Sequence, residues 1–210
     1  MTDRFRNYDV LAKHGTPSWD AITQRVIDER LALSVPAGVL EPLQLATLEA
    51  LVARICPDPP GRARTTTVAM VVHRIAGEEG DGARHHRLPP FAQCWRQGLD
   101  AIEEEAKLRF AAPFSALGGE QADEVLRAVE HGDTKAQRWA KLPARLFWTW
   151  RIIPDLVSAH WSQPSLWSAM GFGGPASPRG YVRTGTNRRD PWEAVAEGEP
   201  YKGVPRHRAG

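Results

Sequence analysis

The sequence predicts an all-α fold: an irregular bundle of about six helices followed by an extended C-terminal arm rich in Gly, Pro and Trp. Three observations carry that reading. Apolar residues recur at spacings of three and four through most of the chain up to residue 163. Strands and helices do not alternate in the way that builds a parallel sheet. Much of the Gly and Pro, 18 and 17 of the 210 residues, falls between the periodic segments and after Pro164, where periodicity ends. Residues 1–163 read as a helical domain with an N-terminal extension, and 164–210 as an arm that belongs to the same domain.

The first helix is expected after Thr16-Pro17-Ser18, with a hydroxyl as its cap, Asp20 in the first turn, and Trp19, Ile22, Val26, Leu31 and Leu33 as its apolar residues. Pro36 and Gly38 end the pattern. A second runs from Pro42 to about Cys56, because proline is tolerated at a first helical position. Its face is Leu45, Leu48, Val52 and Ile55, and Pro57, Pro59 and Pro60 stop it. Residues 67–75, with Val68, Val71, Val72 and Ile75, suit a helix or a buried strand. Helix is the reading adopted, since no second strand-like run is there to pair with it. After a polar loop from Gly77 to Pro90 comes the clearest helix, Phe91 to about Phe110. Phe91, Cys94, Trp95, Leu99, Ile102 and Ala106 share its face. A fifth spans Glu120 to Glu130 around Val125, Leu126 and Val129. The sixth, Pro143 to Trp161, is apolar nearly all round, which implies burial on several sides. Pro154 is expected to kink it near Trp150, where the proline ring meets the carbonyl four residues back. A short helical turn, Ser165 to Met170, leads into the arm.

Several function classes are excluded by composition. Lys and Arg number 27 against 25 Asp and Glu, a net charge of +2, which lacks the strong basic excess of a dedicated nucleic-acid binder. No apolar run approaches the roughly 20 residues of a membrane span. Cys56 and Cys94 show no CxxC pattern and read as ordinary buried thiols.

Catalytic signatures are equally sparse. Gly171-Phe172-Gly173-Gly174-Pro175 lacks the GK[ST] ending and the preceding strand of a phosphate loop, and Pro175 removes a backbone donor. Close backbone approach or tight turning is its expected role. His85-His86, beside Asp81 and Arg84, has no metal-ligand spacing around it and reads as a solvated loop. Glu103-Glu104-Glu105 points to different sides of a helix and reads as an exposed face, with Lys107 and Arg109 at pairing distance. No GxSxG elbow is present. The expectation is a chain with no catalytic, cofactor or metal residues of its own.

Trp161, Trp167, Phe172, Arg179, Tyr181, Arg183 and Trp192 stand out as candidate partner-binding residues. Trp, Tyr and Arg are enriched in interface hot spots because they bury large areas while keeping a polar handle. Two other readings stay open. The arm can wrap back on its own helices, or Arg179 to Arg189 can contact nucleic acid weakly. A rival of another class is a free-standing small-molecule enzyme using aromatics around Trp148, Trp150 and Trp161.

The run from Met170 to Tyr181, MGFGGPASPRGY, and the later Arg189-Asp190-Pro191-Trp192-Glu193 resemble the gluconate 2-dehydrogenase subunit 3 family. Leu45 to Pro57, ending in Ile55-Cys56-Pro57, is similar to that family's opening helix. Pro113 to Leu117 before Gln121 resembles its F-x-x-L…Q segment. The resemblance implies a small, or gamma, non-catalytic subunit that supports the maturation, stability or export of a large subunit. That partner is expected to be an FAD-bearing dehydrogenase of the glucose-methanol-choline type, with a cytochrome c subunit as a further partner. The family's usual twin-arginine leader is not matched: Arg4 and Arg6 flank Phe5 and no apolar stretch follows. The expected location is therefore the cytoplasm as synthesised, and the periplasm only through co-export with a partner.

Overall fold

Residues 91–110 carry the longest amphipathic pattern in the chain, and helix packing is organised around them. The computed structural model describes residues 4–80, 82 and 84–176, which contain helices and turns and no strand. Eight α-helical segments are assigned: α1 (Ala21–Leu31), α2 (Pro42–Ile55), α3 (Thr67–Ala76), α4 (Phe91–Phe110), α5 (Gly119–His131), α6 (Ala144–Phe147), α7 (Ile153–Trp161) and α8 (Pro164–Met170). Short 3-10 turns lie at Val10–Lys13, Phe114–Ala116 and Gln137–Ala140. The chain divides into two compact units. One comprises residues 33–57 and 66–160; the other joins residues 1–32, 58–65 and 161–210.

In the helical unit, α4 packs against α2, α3, α5, α6 and two of the 3-10 turns. Every residue of its expected apolar face is buried, with Trp95, Leu99, Ile102 and Ala106 fully so. Gly98 lets this happen at close range: a Cβ there would lie 2.1 Å from the Phe147 ring of α6. Phe147 in turn meets Trp95 edge-on at 5.5 Å. The β-branched segment 67–76 is helix α3, burying Val71, Val72 and Ile75. The helix termini use the polar residues beside them. The Glu41 N–H donates to Gln44 Oε1 at 3.1 Å at the start of α2, and the Gly118 N–H donates to Gln121 Oε1 at 3.3 Å at the start of α5. Gly132 ends α5 in the left-handed conformation, at φ 81°.

The long apolar segment after Pro143 is not one helix. Trp148–Ile152 adopts π-helical register between α6 and α7, and the Ile153 N–H donates to the Trp148 carbonyl five residues back. Pro154 has no N–H to offer the Trp150 carbonyl, and the wider turn accommodates its ring beside that carbonyl. The segment's burial also differs from expectation. Trp150 and Val157 are exposed, whereas Arg151, Asp155 and His160 are buried. Those polar groups meet one another and neighbouring polar groups inside. Trp95 Nε1 donates to Asp155 Oδ2 at 2.8 Å, and Arg74 and Arg151 each approach the Asp155 carboxylate to 3.5 Å. His160 Nδ1 lies 3.1 Å from the Thr67 hydroxyl.

The second unit has a small core of Val10, Trp19, Ile27 and Trp167, with Tyr8 and Leu11 packed on it. The first helix begins later than expected. Its cap is Asp20, whose Oδ1 accepts from the Thr23 N–H at 2.7 Å, instead of a hydroxyl before Trp19. Trp19 lies just outside the helix, so its indole can enter the core and donate from Nε1 to the Pro175 carbonyl at 2.9 Å. Ile22, Val26 and Leu31 of α1 remain exposed.

Candidate functional site

Of the expected partner-binding residues, the structure describes three. Trp161 is half-buried. Trp167 is only 6% exposed, sits in the small core and meets Phe172 edge-on at 5.5 Å. Phe172 itself is 38% exposed. Trp167 therefore anchors the arm inside the chain, while Phe172 offers its outer surface. Arg179, Tyr181, Arg183 and Trp192 lie outside the described residues.

The start of the arm folds onto the N-terminal segment. Val10 N–H donates to the Ser168 hydroxyl at 3.0 Å, and Lys13 Nζ donates to the Gly173 carbonyl at 2.6 Å. Arg62 donates to the carbonyls of Phe5 and Tyr8 at 2.7 and 3.1 Å. Gly171 and Gly174 both have positive φ. A Cβ on Gly174 would come within 2.9 Å of Trp19, and one on Gly171 within 2.7 Å of Phe5. These glycines permit a left-handed backbone and close packing together, which few side chains allow.

The triple-glutamate run differs from its expected exposed face. Glu103 is 4% exposed and Glu105 fully buried. Glu103 Oε2 accepts from the Phe114 N–H at 3.0 Å and from the Thr47 hydroxyl at 3.2 Å. Glu105 accepts from the Lys135 and Ala136 N–H groups at 2.9 and 2.8 Å and from Arg109 Nε at 2.7 Å. Because α4 is covered on several sides, residues pointing in different directions all meet protein. A carboxylate is tolerated there when loop N–H groups and a cation satisfy it. Glu104 remains half-exposed and pairs with Arg138 at 3.3 Å.

Two surface grooves of the helical unit have different chemistry. One, of about 710 Å³, is lined by Asp100, Glu103, Glu104, Lys107, Arg138 and Lys141. Its charges largely pair with one another, Arg138 with Asp100 and Glu104, and Lys107 with Glu103. The other, of about 520 Å³, is lined in part by Arg87, Trp139, Pro143, Arg145, Leu146 and Thr149. Trp139 is 6% exposed and its Nε1–H has no hydrogen-bond partner. A buried donor left unpaired costs about 1–3 kcal/mol. Nothing along the chain points to this groove, since Gln137–Ala140 has no periodicity that sets where the indole lies.

His85 stacks on His86 at 4.6 Å and leans toward Trp150 at 5.8 Å. Trp150 is thus a surface aromatic, whereas Trp148 packs against the helical core. The described residues hold no group of three or more His, Cys, Asp and Glu side chains placed to share a metal ion. Among them, no helix is long and apolar enough to cross a membrane. Both cysteines are buried, and desolvation pushes the Cys56 thiol up to about 11 and the Cys94 thiol up to about 12.

The family model for gluconate 2-dehydrogenase subunit 3 matches residues 42–174. The chain belongs to that family. The match runs from the first residue of α2 to the glycine packed against Trp19. In this subunit 3 chain, the family-like Phe114 is a fully buried plug beneath its 3-10 turn, and Gln121 holds the start of α5. These two described elements of the resemblance thus have structural work to do. Searches of the curated proteins and of the solved structures found no match.

Proposed function

We propose that this chain is the non-catalytic accessory, or gamma, subunit of an FAD-dependent sugar or alcohol dehydrogenase of the glucose-methanol-choline type. Its role in the complex is to support maturation, stability or export of the catalytic subunit. The family match over residues 42–174 carries the reading, since the family is named as a subunit of a dehydrogenase. Exposed Ile22, Val26, Leu31, Met170 and Phe172 on the unit of the chain ends support it. Large apolar side chains left in water are the raw material of a subunit interface. FAD belongs to the partner in this proposal, and a cytochrome c subunit accepts electrons from it. The chain is made in the cytoplasm and reaches the periplasm only together with that partner.

Co-expression with a large subunit of that type tests the proposal. A tagged chain is expected to retain the large subunit, and omitting the chain to lower the yield of soluble, flavin-loaded enzyme. A large subunit that is never retained and matures equally well alone defeats it. Cell fractionation of the co-expressed pair checks the location.

A further inference from the structure

We infer that the groove beside Trp139 is a docking site for an acidic segment of a partner polypeptide, with a carboxylate of that segment accepting a hydrogen bond from the Trp139 indole. Three observations converge on it. The Trp139 Nε1–H is buried at a residue that lines the groove, and among the described residues no group accepts its hydrogen bond. Arg87 and Arg145 line the same groove and enter no ion pair among the described residues. No carboxylate is among the groove's lining residues, whereas the neighbouring larger groove mixes both signs and neutralises itself. One unpaired donor and two unpaired cations make an acceptor of negative charge the complementary ligand.

The geometry also favours a polypeptide over a free small acid. Pro143 and half-buried Leu146 give the groove an apolar wall, and Thr149 lies in the π-helical segment at its border. The stem of Arg145 runs close over Gly132, where a Cβ would come within 3.2 Å of it. In an open groove, water screens a small anion from both arginines. A chain segment that covers the apolar wall excludes that water and strengthens the charged contact. The inference rests on the subunit reading for the identity of the partner but not for the chemistry of the groove.

The test follows the Trp139 indole directly. The chain is labelled with ¹⁵N-tryptophan, and the Trp139 signal is assigned by its loss in Trp139→Phe. A capped peptide of alternating Leu and Glu is titrated at low salt, alongside its Leu/Gln counterpart and alongside acetate. The expected result is a downfield shift of the Trp139 indole proton with the acidic peptide, at least fivefold weaker binding in Arg145→Gln and Arg87→Gln, and little response to the Gln peptide. Both arginines are exposed, so these variants keep the fold. No shift at Trp139, equal binding of the Gln peptide, or acetate saturating the site as readily as the peptide would each overturn the inference. Retention of the large subunit by the wild-type chain and by the double arginine variant alike would overturn it while leaving the subunit role intact.

Discussion

The helical unit and the unit of the chain ends both tie irregular backbone to a helical scaffold, but with opposite chemistry. In the helical unit, the buried ties are carboxylates that accept from loop N–H groups: Glu103 holds Phe114, and Glu105 holds Lys135 and Ala136. In the other, cations and an indole donate to carbonyls: Lys13 to Gly173, Arg62 to Phe5 and Tyr8, Trp19 to Pro175. The difference in burial decides what each tie is worth. Glu105 is sealed from water, so nothing replaces its partners when it is removed, while the donors of the other unit are only part-buried. A large core shares the load in the first unit. In the second, a core of four buried residues depends on how closely the backbone of the arm can approach.

The largest effect is expected from Glu105→Ala. It strands two backbone donors and the Nε–H of Arg109, whose other guanidinium nitrogens keep Glu124 and the Asp133 carbonyl, a loss of about 3 kcal/mol by analogy with broken buried pairs. Urea unfolding measures it, and a change below about 1 kcal/mol would break the contrast between the units. Next comes Gly174→Ala, which forces an alanine into φ of 73° against Trp19. Left-handed strain and overpacking together cost about 2 kcal/mol. Hydrogen exchange at the Trp19 indole and at residues 171–176 is expected to speed up about 30-fold, with amides of the helical unit unchanged. Loss of protection spread evenly over both units would show that they open as one.

A third contrast is a pH dependence carried by the helical unit, which holds both Cys56 and Cys94. Burial raises these thiols from 9.0 to about 11 and about 12. Unfolded thiols ionise first, so the unfolded state binds fewer protons between those values and stability falls as pH rises above 9. Below pH 9 the contribution is fully present. Urea midpoints at pH 7 and 10.5, compared between the chain and a Cys56→Ala/Cys94→Ala variant, measure the difference. An identical alkaline loss in the variant would assign it to other groups.

Much of the fold was legible because its signals are local. The face of α4 from Phe91 to Ala106 followed from spacing alone, and the choice of helix for residues 67–75 from the absence of a second strand. Pro154 located the irregularity at Trp150, since the ring clash involves only residues four apart. The site was less legible. Glu103 and Glu105 looked like a solvated face because a carboxylate's burial depends on which loops return to it. The first helix was placed too early because Trp19 looked helical, when its indole serves a carbonyl 156 residues away.

The sequence by itself determined the helices, their breakers and the family, whose model matches residues 42–174. Each of these is encoded by neighbours within a turn or two, or by a contiguous motif. Tertiary structure alone decided that Val10, Trp19 and Ile27 share one core with Trp167, that Glu105 is a buried strut, and that Trp139 keeps a donor unpaired among the described residues in a groove edged by arginines. Those outcomes depend on which distant groups satisfy a polar atom once water has been expelled, and spacing along the chain carries no record of that.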